Sequence, residues 1–225
     1  MKPFFVFLAL LVILGSCSPD YKQIDIILLD VSPSRTEYAN NLSLNSSVRA
    51  DSFPGSKKII CLVGPTPDQS ILEIEYPFTL DIQTAKILED KRKFADDSLK
   101  AITKHFIEKK QNFSNLIQSI IKCVDKYKIL YPFSNLRIIL YSDGIIEEPG
   151  EIDLNHNFTD KFHSSYKADL SRLKGCELQL RTFTNSSEYT TFSSKDFKKV
   201  EAFWVDFVSK TGMKLTYIGS SKDFN

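Results

Sequence analysis

No charge of one sign dominates the sequence. Its 29 basic and 28 acidic residues leave a net charge of +1, so there is no basic excess of the kind that nucleic-acid binding requires. Histidine is scarce, with three residues, and cysteine only a little less so, with four. Neither C-x-x-C nor a Cys/His spacing that would hold zinc occurs. There is no G-x-S-x-G elbow for a serine hydrolase and no glycine-rich loop to cradle a phosphate. Internal repeats and low-complexity tracts are absent as well. The longest apolar run, Phe4 to Leu14, falls short of the roughly 18 residues that span a bilayer. What remains is a chain of 225 residues, 42% hydrophobic and 25% charged, an ordinary globular balance. One domain of this size can bury a core without disulfide staples.

The short apolar run has a positive residue, Lys2, ahead of it and small residues behind it, which is the pattern of a secretory signal. The segment "LGSC", Leu14 to Cys17, resembles the lipobox of bacterial lipoproteins. That resemblance implies a signal peptide over residues 1–16, lipidation of Cys17 and a tether over 17–23, leaving residues 24–225 as the folded domain. It also implies attachment to the bacterial cell envelope, since multiple acyl chains hold a protein stably at a membrane. In enterobacterial lipoproteins, a serine such as Ser18 after the lipidated cysteine favours the outer membrane. With Cys17 committed to lipid, Cys61, Cys123 and Cys176 allow at most one disulfide. They read as buried small apolar residues.

Beyond the tether, "IDIILLD" (24–30) is a β-branched run with little alternation, as in a strand covered on both faces. "KKIICLVG" (57–64) and "SILEIEYPF" (70–78), separated by the turn-forming "PTPD", read as a hairpin. Glu73 and Glu75 put one face of its second strand in water. A helix is expected over 96–110, capped at Asp97 or Ser98, with Leu99, Ile102 and Phe106 inward. A second follows over 114–127, with Leu116, Ile117, Ile120, Ile121 and Val124 on the buried stripe and Gln118, Ser119, Lys122 and Asp125 opposite. "LRIILYSDG" (136–144) and "CELQLRTF" (176–183) are strands, with a polar stretch and a short helix near 164–174 between them. The last helix carries a capping box at Ser193 and Asp196. Its apolar face is Phe197, Val200, Trp204, Phe207 and Val208, and Gly212 stops it. "MKLTYIG" closes as a strand. This order predicts an α/β fold: a mostly parallel, doubly wound, Rossmann-like sheet with one antiparallel edge strand and helices on both faces.

In open sheets of this kind the working site lies at the carboxyl ends of the strands. Asp30 ends one apolar run and Asp143 another. If those strands are neighbours, two carboxylates meet at one sheet edge, and like charges held close demand a counter-charge. Asp30, Ser32 and Ser34 offer only oxygen, which suits Mg²⁺ or Mn²⁺. Each residue also has a plainer reading. Ser32 before Pro33 can open a helix, Ser114 can cap one, and Asp143 before Gly144 can make a turn.

"DVSPS", residues 30–34, is similar to the D-x-S-x-S motif of von Willebrand factor type A domains, in their metal-ion-dependent adhesion site. That family adds a threonine at the start of a later helix, where "FSNL" here supplies Ser114. It also adds an aspartate at the end of a later strand, commonly in T-D-G, where "SDG" supplies Asp143. The resemblance spans residues 22–220, including the early hairpin. It implies Ser32 and Ser34 as direct metal ligands, Ser114 as a direct or water-bridged one, and Asp30 and Asp143 binding the metal or its waters. In that family an acidic side chain of a protein partner can complete the coordination. The chain departs from the family's pattern in having serine for threonine at 114, which frees the rotamer. Pro33 removes a backbone donor, and Glu147, Glu148, Glu151 and Asp153 follow the third motif.

The expectation is therefore a lipid-anchored binding module and not an enzyme. The alternatives are a metal-free scaffold of the same fold and, lower still, a metal-dependent hydrolase, for which no general base stands near the motifs. His105, His156 and His163 are expected to face solvent. A haloacid-dehalogenase-type phosphotransferase would need an aspartate where Ser32 stands.

Overall fold

The structure is a computed structural model. It describes residues 21–30, 55–64, 66–76, 116–142, 144, 170–182 and 194–220, together with eight helical positions between 86 and 101. The chain builds β1 (Gln23–Leu29), β2 (Ser56–Leu62), β3 (Ser70–Tyr76), α1 (Leu116–Leu130) and β4 (Asn135–Tyr141). A 3-10 turn (Leu170–Leu173), β5 (Glu177–Thr182), α2 (Ser194–Thr211) and β6 (Lys214–Ser220) complete it. The six strands form one sheet in the order β3-β2-β1-β4-β5-β6. Every pairing is parallel except β2 with β3. The expected mostly parallel sheet with an antiparallel edge is therefore present, and the hairpin turn closes with Gln69 N–H on the Thr66 carbonyl at 3.1 Å.

Strand alternation divides the core in two. On one face Ile24, Ile26 and Leu28 of β1 pack with Ile59 and Cys61 of β2 and Leu136, Ile138 and Leu140 of β4. Both long helices bury their stripes against this face: Leu116, Ile117, Ile120, Ile121 and Val124 of α1, and Val200, Phe203, Trp204, Phe207 and Val208 of α2. The opposite face carries Ile27, Leu29, Ile60, Leu62, Ile139 and Tyr141, also buried. Both α1 and α2 thus pack on the first face.

Several local expectations shift. Ser119, expected on the wet side of α1, is fully buried and accepts the Gly64 N–H at 3.4 Å; a small hydroxyl fits inside because a backbone donor reaches it. Lys86, Ile87, Glu89 and Asp90 are already helical, as are Lys93, Phe94, Asp97 and Ala101. Asp97 and Ala101 fall within the helix expected over 96–110, and helical residues already occur from Lys86. Lysine, glutamate and alanine are good helix formers even where few apolar residues mark a stripe. Leu99, Ile102, Phe106, Ser193 and the three histidines lie outside the described residues. Gly212 does end α2, at φ +70°, a conformation that favours glycine. The folded part begins earlier than residue 24, because Tyr21 is in the core.

The three thiols are free and buried, as expected. Cys123 donates to the Pro67 carbonyl at 3.0 Å, so it ties α1 to the hairpin turn. Contact with the neighbouring Cys123 thiol holds Cys61 below its ordinary pKa, and the same contact together with burial pushes Cys123 up.

On the wet side of the hairpin, Lys57 reaches Glu73 at 2.7 Å and Glu75 at 3.2 Å. Burial pushes the Glu73 carboxyl up, but hydrogen bonds from Lys57 and Ser70 outweigh it and hold the group below its ordinary value. A depressed carboxyl contributes stability that is complete above the unfolded pKa and lost as pH falls through the folded one. The side chain of Glu73 is 38% exposed, so its share is only about 0–1 kcal/mol. Thermal melts of the wild type and Glu73→Gln should therefore differ slightly near neutral pH and converge in acid, below about pH 4. A gap that persists in acid would assign the effect to packing instead.

Candidate functional site

β1 and β4 are neighbours, aligned so that Leu29 lies opposite Tyr141. One residue further on, Asp30 and Ser142 therefore stand side by side past the strand ends. This is also where the strand order reverses. β1 leads outward to β2 and β3 on one side, and β4 leads to β5 and β6 on the other. In open α/β sheets such a point is the usual place for a ligand.

Asp30 is buried, at 6% exposure. Its N–H donates to the Tyr141 carbonyl at 3.0 Å, which continues the ladder one step past β1. The Ser142 hydroxyl donates to Asp30 Oδ2 at 2.8 Å. The Ser142 Oγ in turn accepts the Gly144 N–H at 3.0 Å. Ser142 thus fixes the Asp30 carboxylate from one side and the turn after β4 from the other. A carboxylate this deep is held only where donors or positive charge meet it.

The turn is clamped from α2. Gly144 has φ +76°, and a Cβ there would stand 2.8 Å from Val200 Cγ1 and 2.9 Å from Trp204 Nε1. Trp204 Nε1 donates to the Gly144 carbonyl at 3.0 Å. Only glycine meets both the left-handed conformation and the close approach of the helix.

Of the five residues expected to surround a metal, Asp30 is placed at the predicted sheet edge. Ser32, Ser34, Ser114 and Asp143 lie outside the described residues, although both neighbours of Asp143 are described. Among the described residues no group of three or more His, Cys, Asp or Glu could hold a metal ion. What is present fits a hard cation in kind. The ends of β1 and β4 offer a buried carboxylate with a hydroxyl beside it, and oxygen donors of this sort suit Mg²⁺ or Mn²⁺. Reading for acidic and Thr-like positions passed over Ser142. The signal was inside the "SDG" triplet, because a serine in register with Asp30 becomes its neighbour once β1 and β4 pair.

A second polar cluster, also unforeseen, lies lower on the opposite face. Asp25 is fully buried and receives Arg137 Nε at 2.9 Å and Nη2 at 2.8 Å. Lys58, also fully buried, stands 4.0 Å from the same carboxylate. Charged residues inside apolar strands at matching register, Lys58 and Arg137 each opposite Asp25, were the available sign. Compared with models of known protein families and with curated proteins, the chain matches none. Among the described residues no helix is long and apolar enough to cross a membrane.

Proposed function

We propose that the chain is an envelope-anchored lipoprotein whose domain is of the von Willebrand factor type A kind, and that it captures a protein partner beyond the carboxyl ends of β1 and β4. The observation that carries the reading is the position of Asp30. The first residue of D-x-S-x-S is a buried carboxylate at the point where the strand order reverses, beside the strand that leads into "SDG". The antiparallel edge hairpin supports the same reading. Asp30, Ser32, Ser34, Ser114 and Asp143 would hold the Mg²⁺ or Mn²⁺. When bound, the ion supplies a positive centre for an acidic side chain of the partner. Ser142 orients Asp30, and Trp204 grips Gly144, the residue that follows Asp143 in the sequence.

Asp30→Ala is expected to abolish Mg²⁺ binding by calorimetry and metal-dependent partner capture, while the wild type melts higher in millimolar Mg²⁺, since a ligand of the folded state alone must raise the melting temperature. An Mg²⁺ titration left unchanged by Asp30→Ala rejects the site. The second reading, a metal-free scaffold, is favoured by the Ser142 hydroxyl already seated on Asp30 Oδ2. It predicts melting temperatures that do not respond to either ion.

A further inference from the structure

The end of the sheet opposite the candidate site carries an exposed apolar tip. Ile129 is 79% exposed and Leu130 48% at the close of α1, and Phe133 in the loop to β4 is 88% exposed. The loop is firmly held. Tyr131 meets Tyr21 edge-on with ring centroids 5.8 Å apart, and stacks on Tyr127 at 6.4 Å. The ammonium of Lys57 lies over both Tyr131 and Tyr21, at 5.3 Å and 5.6 Å. Ser134 Oγ donates to the Tyr21 carbonyl at 2.5 Å and Asn135 N–H to the Lys22 carbonyl at 3.1 Å. The tip is thus fastened directly to the point where the chain enters the fold.

Cys17 precedes Tyr21 by four residues, which can span no more than about 14 Å. A lipid on Cys17 therefore keeps Ile129, Leu130 and Phe133 close to the membrane surface. We propose that these three side chains insert into the lipid interface and orient the domain. Apolar groups backed by tyrosines are suited to that boundary. β1 then points away from the membrane. Its seven residues, at about 3.3 Å each, hold Asp30 roughly 23 Å further out, facing the partner's side. The inference rests on the lipoprotein reading of Cys17.

The test uses the full chain, matured in a bacterial host and added to vesicles of phosphatidylcholine brominated on its acyl chains. Phe133→Trp adds a second indole to the buried Trp204, and the wild type gives the baseline. The added emission should fall by about half or more on brominated vesicles, as for a ring 5–10 Å inside the interface. Lys122→Trp, on the exposed side of α1 and about 10 Å above Ile129, should lose little. The mass of the N-terminal peptide reads acylation separately. Unquenched emission at 133 overturns the tip whatever Cys17 carries, and an acyl-free Cys17 overturns the anchor whatever the emission does. Emission at 133 that shifts with protein concentration in the absence of lipid points to a second copy on this patch, and likewise overturns the proposal.

Discussion

Asp25→Ala is expected to cost the fold about 3–5 kcal/mol, the usual penalty for removing one partner of a buried ion pair. The side chains of Asp25 and Lys58 are fully buried and that of Arg137 is 10% exposed. The Asp25 carboxylate accepts two bonds from the guanidinium and one from Gln23 Nε2 at 2.6 Å. Truncation leaves two cations in the sheet without the anion between them. The strands are affected together, because Asp25 lies in register with Lys58 on one side and Arg137 on the other. Urea or guanidinium denaturation measures the loss. A second variant isolates the cause: Asp25→Leu combined with Lys58→Met and Arg137→Leu should regain most of the stability, because replacing a whole buried ionic group by apolar residues is often neutral or better. A loss below about 1 kcal/mol in Asp25→Ala, or a triple variant no better than the single one, would show that solvent reaches the cluster.

This cluster marks where sequence reading stopped. The apolar runs of β1, β2 and β4 were plain, because strands buried on both faces need nearly continuous Ile and Leu. So were the hairpin, the stripes of α1 and α2, and Gly212 as a stop. Period and turn chemistry are local and can be read along the chain. Asp25, Lys58 and Arg137 could not be paired that way. Each is one charge in an apolar run, and only the lateral order β2-β1-β4 makes them a unit. Ser142 escaped for the same reason. It becomes the partner of Asp30 through a strand register, across 112 residues of sequence. Asp30 itself was legible because a carboxylate closing an apolar run stands out without knowledge of its neighbours. The helical residues from Lys86 to Phe94 were missed because an exposed surface of Lys, Glu, Asp and Phe shows no clear stripe, whereas Asp97 and Ala101 fall within the expected helix.

Trp204→Ala is the second large effect, about 3–5 kcal/mol for emptying a fully buried aromatic position. The indole packs edge-on against Phe203 and Phe207, with centroids 5.5 Å and 5.4 Å away. It also supplies the Gly144 carbonyl with its donor. Gly144→Ala strikes the same junction from the other side. A side chain at φ +76° is strained, and its Cβ would run into Val200 and Trp204. Together these effects amount to about 2–4 kcal/mol. Because one contact is counted in both variants, Gly144→Ala combined with Trp204→Ala should cost less than the two losses added, by about 1 kcal/mol or more. Additive losses in denaturant would mean that α2 and the turn after β4 are independent. Coupling would mean that the helix face holds the turn in place, since the Gly144 N–H bonded to Ser142 belongs to the same residue whose carbonyl Trp204 grips. Packing of α2 would then reach the Asp30 carboxylate through three hydrogen bonds, and a core substitution far from any ligand would loosen the site before it unfolds the sheet.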